Sequence, residues 1–282
     1  MKIKNGERLR VSIQGYEGSF HQMAAEVYFG NNVAVIPCDT FRDVIKIASD
    51  NTLSNGGVMA IENSIAGSIL PNYTLLQNTD KLKIIGEVYL PIQQHLLVNP
   101  GVKLEDIKEV QSHHMAIQQC MEYLGEKHWK LVETDDTALS AKHIHARKSK
   151  HAAAIASKLA AELYGLEIAV PNIHTQKNNY TRFLILKRAA EINTIEDADK
   201  ASINFITDHT KGSLAKVLTI IADGGINLSK LQSMPIAGTN FKYSFHADLE
   251  FDSLHQFQKV KEEMEGFTEQ VRVFGEYKRE RA

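Results

Sequence analysis

Two short stretches far apart in the chain carry the residues best suited to chemistry. The first, GGVMAIENSIAGSIL, is an apolar run from Val58 to Ile61 that breaks into the polar turn Glu62-Asn63-Ser64, after which Ala66-Gly67-Ser68 should open a helix. A buried strand ending in such a turn sets hydrogen-bonding side chains beside free helix N–H groups at one sheet edge, where open α/β folds bind ligands. The second, KNNYTRFLIL, reverses the order: Asn178 and Asn179 lead into Thr181 and Arg182, and then into the apolar strand Phe183 to Leu186. A guanidinium fork beside a hydroxyl suits a carboxylate. The same dipeptide would equally serve as a surface ion pair next to a β-branched strand starter. Both stretches point to recognition of a small anion by amides, hydroxyls and an arginine.

Other chemistries find little support. Twelve histidines invite a metal reading, yet no HExxH or CxxC spacing occurs, and His143 and His145 would point to different sides of a helix. His113-His114 at a strand end reads either as part of a site or as an ordinary polar loop. No GxSxG elbow, GxGxxG fingerprint or Gly-Lys-Ser/Thr loop is present. Cys38 and Cys120 read as buried free thiols. A net charge of -2 over 282 residues, 43% of them hydrophobic and 23% charged, gives no bulk attraction to nucleic acid or an anionic membrane. No apolar run reaches the roughly 20 residues of a membrane helix and the first residues lack a secretory core, so a cytoplasmic, soluble protein is expected.

The elements that must position these residues alternate. Strands are expected at Leu9–Ile13, Val33–Pro37, Leu82–Val88, His95–Val98, Glu109–Ser112, Lys130–Val132 and Ala152–Ala156. Helices are expected at Phe20–Phe29, Thr40–Ser49, Ala116–Leu124, Asp136–Ala146 and Ala160–Tyr164. This grammar predicts parallel sheets with helices on both faces, in two lobes joined by crossing strands with a cleft between them. The lobes are expected at about 1–88 with 175–188 and at 89–174, within a domain spanning 1–188. A charged linker is expected over 189–200. Residues 201–278 then follow a β-α-β-β-α-β order, the split ferredoxin-like unit, with a turn over Ala237–Asn240, a strand alternating from Phe241, and a frayed end over Lys278–Ala282.

Taken together these residues resemble the prephenate dehydratase family over nearly the whole chain. GYEGSFHQMAA is similar to its GPxGTFSxxAA, IENSIAG to PIENSxxG, SHHMAIQQC to SHPQALAQC and NNYTRF to NxTRF. The stretch TKGSLAKVLTIIADGGINLSKLQSMP resembles the ACT regulatory domain of the same enzymes. Tyr16, His114 and Met115 depart from the catalytic patterns, and Gln232 and Met234 replace the Glu and Arg of the ACT signature.

The resemblance implies a periplasmic-binding-protein-like catalytic domain plus a ferredoxin-like ACT domain. The reaction it implies removes CO2 and water from prephenate to give phenylpyruvate, with no cofactor or metal. Thr181 would bond the leaving hydroxyl, with Asn63, Ser64 and Gln119 as further neutral donors. Arg182, Gly18, Ser19, Gly67 and Phe183 would bind substrate, and Glu62 would be structural. L-phenylalanine would act as allosteric effector near Gly212, Ser213, Leu214, Ala215, Asn227, Gln232, Ser233, Met234 and Pro235, in a homodimer or homotetramer. An arogenate dehydratase and a non-catalytic amino-acid-binding clamp are the alternative readings.

Overall fold

The computed structural model describes residues 8–280 except Thr194, His209, Ala237, Asn240 and Phe241. The ends of the turn expected over Ala237–Asn240, the Phe241 start of a strand and the last two residues of the charged tail therefore lie outside the described residues. The chain divides into two compact units: residues up to Asn72 with Val88–Phe183, and Tyr73–Glu87 with Leu184 onward.

In the first unit, β1 (Leu9–Gln14), α1 (Phe20–Phe29), β2 (Val33–Cys38), α2 (Phe41–Ala48) and β3 (Gly56–Asn63) form a βαβαβ run. β1 pairs in parallel with β2 (Val11↔Val35) and with β3 (Val11↔Gly56). Val11, Ile13, Val58, Met59 and Ile61 are fully buried there, as continuous apolar runs in a parallel sheet should be. Ser19 caps α1 by accepting the Gln22 N–H, and Thr40 caps α2 by accepting that of Asp43, which sets both helix starts at the ends of strands.

After β3 the chain does not enter a helix at Ala66. Gly67 and Ser68 form β4, antiparallel to Glu62–Asn63, and α3 begins only at Leu70 (Leu70–Gln77). The Gly67 φ of 81° lies in the left-handed region, which suits a tight hairpin and interrupts a right-handed helix. β5 (Leu82–Pro91) then leads to β6 (His95–Val98).

The second lobe of this unit contains β7 (Glu109–His113), α4 (His114–Gln119), α5 (Met121–Leu124), β8 (Lys130–Thr134), α6 (Thr137–Ala146), β9 (Ala152–Ala156), α7 (Lys158–Tyr164) and β10 (Glu167–Val170). Its strand order is β10-β6-β9-β7-β8. β7 runs parallel to β8 and β9, but β6 pairs antiparallel with β9 and β10. The wholly parallel sheet expected from the sequence is thus corrected. β6 enters this sheet from β5 of the other sheet through Ile92–Gln94, outside the strand–helix–strand units that set β7, β8 and β9 parallel. The chain comes back through β11 (Tyr180–Arg188), which lies between β3 and β5 in the order β2-β1-β3-β11-β5. The two crossing segments are tied where the Ile92 N–H donates to the Asn179 carbonyl at 2.7 Å.

In the second unit, β12 (Lys200–Ile206), α8 (Ser213–Asp223), β13 (Asn227–Pro235), β14 (Tyr243–Glu250), α9 (Leu254–Glu265) and β15 (Gln270–Tyr277) give an antiparallel sheet ordered β13-β14-β12-β15. Ile203, Phe205, Val217, Ile221, Leu249, Phe257 and Val260 form its core. The alternate residues Ser202, Asn204, His246 and Asp248 are buried too, because Tyr73–Glu87 covers them. Tyr73 packs edge-on to His246, Gln77 Nε2 donates to Ser244 Oγ, Arg272 donates to the Gln77 carbonyl, and Lys200 Nζ donates to both Glu87 oxygens at 2.9 and 3.0 Å. Those polar contacts explain why this division differs from the boundary expected near residue 188, since an apolar pattern does not announce them. Among the described residues no helix is long and apolar enough to cross a membrane.

Asp199 closes the C-terminal unit: it accepts from the Arg279 N–H at 2.7 Å, and Lys278 Nζ lies at 3.0 Å. Burial acts to raise its pKa, but those partners outweigh it and hold the carboxyl below its usual range. A depressed carboxylate pKa stabilises the fold above the unfolded value and stops doing so as pH falls through the folded value. Asp199→Asn should therefore lower Tm at neutral pH by roughly 2–4 °C, the shift about 1 kcal/mol produces in a chain of this size. The gap from the unsubstituted protein should narrow as pH falls below the ordinary carboxylate range. Melting curves at several pH values check it, and a gap that does not narrow at any acid pH where the protein still folds contradicts it.

Candidate active site

Between the two lobes of the first unit lies a cavity of about 610 Å3. Its walls come from the carboxyl ends of strands and the first turns of helices: Gln14 at the end of β1, Asn63 at the end of β3, His113 at the end of β7, and Ser19-Phe20, Thr40-Phe41 and Asp136-Thr137 at the starts of α1, α2 and α6. Parallel strands followed by helices produce such a rim, with exposed helix N–H groups turned to one side. Thr181 and Phe183 of β11 complete it.

Asn63 and Thr181 are nearly buried, each 9% exposed. The Asn63 carbonyl oxygen accepts the backbone N–H groups of Ile65 and Ala66 at 3.0 and 2.9 Å. Its amide nitrogen donates to Asn179 Oδ1 at 2.7 Å, Thr181 Oγ1 at 3.0 Å and the Tyr180 carbonyl at 3.1 Å. Asn63 thus spends its donors and its acceptor inside the protein, although it was expected to donate to substrate. Thr181 Oγ1, already an acceptor, keeps its O–H to give away. Gln119 accepts from Asn179 Nδ2 at 3.1 Å through Oε1, leaving its Nε2 hydrogens uncommitted on a side chain that lines both this cavity and a smaller hollow beside Asn179. Among the described residues no acceptor is recorded for either of these donors.

The other expected site residues are placed differently. Side chains along a strand alternate, so with Thr181 and Phe183 lining the cavity, Arg182 turns to the other face. There it is buried and its guanidinium lies 5.9 Å from the Tyr89 ring centroid. Ser64 is exposed and outside the lining; its hydroxyl accepts the Tyr180 N–H at 2.9 Å and donates to the Asn178 carbonyl, holding the turn to β11. Gly67 is exposed in its hairpin. Gly18 serves packing, because a Cβ there would come within 2.9 Å of Ala160 Cα while its carbonyl accepts from Ser157 Oγ at 2.6 Å. Ser19 does line the cavity and caps α1.

Sequence reasoning missed His21, Asp39, Asp135 and Asp136, and placed Asn179 in the amide-rich turn and the NxTRF pattern without giving it a role. Burial pushes the His21 imidazole down to about 3, so the ring is neutral. Its Nε2 accepts the Ala60 N–H at 3.4 Å, leaving the proton on Nδ1, and the ring meets Phe183 edge-on at 5.0 Å. Burial also lowers His113 and raises Asp136, whose carboxylate caps α6. Among the described residues no lysine or arginine lines the cavity. His21 was legible as a histidine where the quoted family pattern has serine. His114 borders a smaller neighbouring hollow with Tyr16 and Glu133.

In the C-terminal unit, Ser213 and Leu214 border a hollow of about 350 Å3 with Lys211, Lys242 and Tyr243, and Gly212 borders an adjoining one. Ala215 is exposed, Met234 is buried, and Gln232 Nε2 donates to the Ser233 carbonyl. Asn227 is not at the hollow. It donates to Glu250 at the opposite end of β13 from Pro235, so within one chain the expected effector residues do not surround one point.

The family described as prephenate dehydratase matches residues 11–191. Arogenate dehydratase 2 of Petunia hybrida is 38% identical over 287 residues, covering 96% of this chain and 72% of the petunia protein. Among solved structures, GqqA, described as a novel type of quorum-quenching acylase, matches with a TM-score of 0.86 at 28% identity, over 96% of this chain and 98% of its own. Prephenate dehydratase from Arthrobacter aurescens, solved in complex with L-Phe, matches with a TM-score of 0.84 at 26% identity, over 96% and 90%. The chain belongs to the prephenate dehydratase family, enzymes of the hydro-lyase type.

Proposed function

We propose that the cavity catalyses the decarboxylating dehydration of prephenate to phenylpyruvate, with Thr181 and Gln119 as the groups that touch substrate. The observation that carries this reading is the pair of uncommitted neutral donors, Thr181 O–H and Gln119 Nε2–H, held by Asn63 and Asn179. In the reaction the bond from the ring to its carboxylate breaks, and that electron pair enters the ring as CO2 departs. The carbon–oxygen pair leaves with the ring hydroxyl, which takes a proton to become water. A donor aimed at the departing oxygen stabilises the negative charge that grows there, and an apolar wall such as Phe41 and Phe183 strips water from the ring carboxylate. The helix N-termini at Ser19, Thr40 and Thr137 favour the remaining anionic group in a cavity whose described lining holds no lysine or arginine.

A second reading is favoured by the three acids at the lining, Asp39, Asp135 and Asp136. Arogenate carries an ammonium where prephenate has a ketone, and carboxylates near that position would attract it. Comparing turnover of the two purified substrates by the full chain separates these readings. Conversion of neither returns the non-catalytic clamp. One preorganised donor is typically worth about 3 kcal/mol, so Thr181→Ala should lower kcat at least about tenfold with the fold retained by circular dichroism; a near-normal kcat contradicts the role.

The same family reading makes the C-terminal unit an ACT domain that binds L-phenylalanine at the hollow beside Gly212–Leu214, in an oligomer paired through the outer strand β13. Regulation requires that the effector prefer one of two states of the protein. Titration calorimetry on the intact chain should detect saturable binding of L-phenylalanine, and the absence of heat over the whole titration contradicts it.

A further inference from the structure

We infer that Asn179 is a positioning residue that sets which end of the Gln119 amide faces the cavity. Side-chain amides have a donor end and an acceptor end of nearly equal shape, and each will flip unless its neighbours forbid it. Here the neighbours forbid it in sequence. The backbone N–H groups of Ile65 and Ala66 can only donate, so the end of Asn63 that meets them is its carbonyl oxygen. The opposite end, the amide nitrogen, then faces Asn179, and the Tyr180 carbonyl, which can only accept, holds it there. Asn179 must present its oxygen to Asn63 and therefore its nitrogen to Gln119. Gln119 must present its oxygen to Asn179, which leaves its nitrogen for the cavity.

The polarity is thus fixed by the main chain of the turn between β3 and β4, and Asn179 carries it to α4 in the other lobe. Asn179 is 1% exposed, and its own carbonyl accepts from Ile92 N–H at 2.7 Å, so its backbone has one setting. A group that must pass on a donor at one end and an acceptor at the other has no substitute among carboxylates or apolar side chains. Asn179→Asp keeps the size and the acceptor toward Asn63 but puts a second acceptor against Gln119. Gln119 then turns over and shows its oxygen to the substrate, where an anion is repelled.

This inference rests on the dehydratase reading for its effect on rate, and on geometry alone for the amide orientation. The experiment takes the full chain with Asn179→Asp, Gln119→Ala and both together. With prephenate and with arogenate, Asn179→Asp should lower kcat/KM at least about tenfold, while in the Gln119→Ala background it should change it less than about twofold. A merely structural role would give equal losses in both backgrounds, and that result, or no loss in either, overturns the inference. Independently, 1H–15N spectra of the resting protein should show the Gln119 side-chain amide signal, identified by its loss in Gln119→Ala, shifted by Asn179→Asp. An unmoved signal overturns the inference even if neither substrate is turned over, an outcome that would itself count against the proposed reaction.

Discussion

Asn63 is where the first unit commits its polarity. Its oxygen is held by two main-chain N–H groups of the turn after β3, and its nitrogen reaches three acceptors on the chain returning into β11. A buried amide with all its capacity used is strongly oriented, because turning it over would set donor against donor and acceptor against acceptor at once. The surrounding fold makes this possible. β3 ends next to β11 in the sheet, so the turn and the returning chain meet side by side, and the crossing segments bonded between Ile92 and Asn179 fix the height at which they do so.

The charge of the cavity follows a different logic from that of an arginine clamp. The helix-end N–H groups at its rim come from the first turns of α1, α2 and α6, aligned by strand ends and shaped by the caps Ser19, Thr40 and Asp136. Its formal charges are acids, and His21 is neutral through burial. Backbone dipoles are fixed before a ligand arrives and need no reorganisation when charge moves. Carboxylates at the same rim limit how much net negative charge the cavity will take, a balance that bears on which substrate of this chemistry fits.

Much of the fold was legible because apolar spacing reports burial directly. The run Val58–Ile61 and the helix faces of α2 and α8 follow from period alone, and Gly30, Gly165 and the Ser and Thr caps mark helix ends. The helix expected from Ala66 failed on Gly67, whose left-handed backbone no propensity scale announces. The antiparallel β6 failed because direction depends on where the chain enters a sheet. Arg182 could have been placed from the sequence: alternation along β11 allows Thr181 or Arg182 to face the cleft, not both. Asn179 stands in the quoted NxTRF pattern, but its role was not legible there, since it depends on two side chains that reach it from separate lobes. The polar face under Tyr73–Glu87 was hidden for a similar reason, being made by ion pairs and hydroxyls.

The central claim is that groups without a proton to lose near neutrality, the Gln119 amide and the Thr181 hydroxyl aligned through Asn63 and Asn179, carry the reaction. The direct measurement is the dependence of kcat on pH for whichever substrate is turned over. The account predicts a plateau from about pH 6 to about pH 9, since neither group titrates in that range. A bell-shaped curve, or a single limb inside that interval, would mean that an ionising side chain moves the proton and would contradict it.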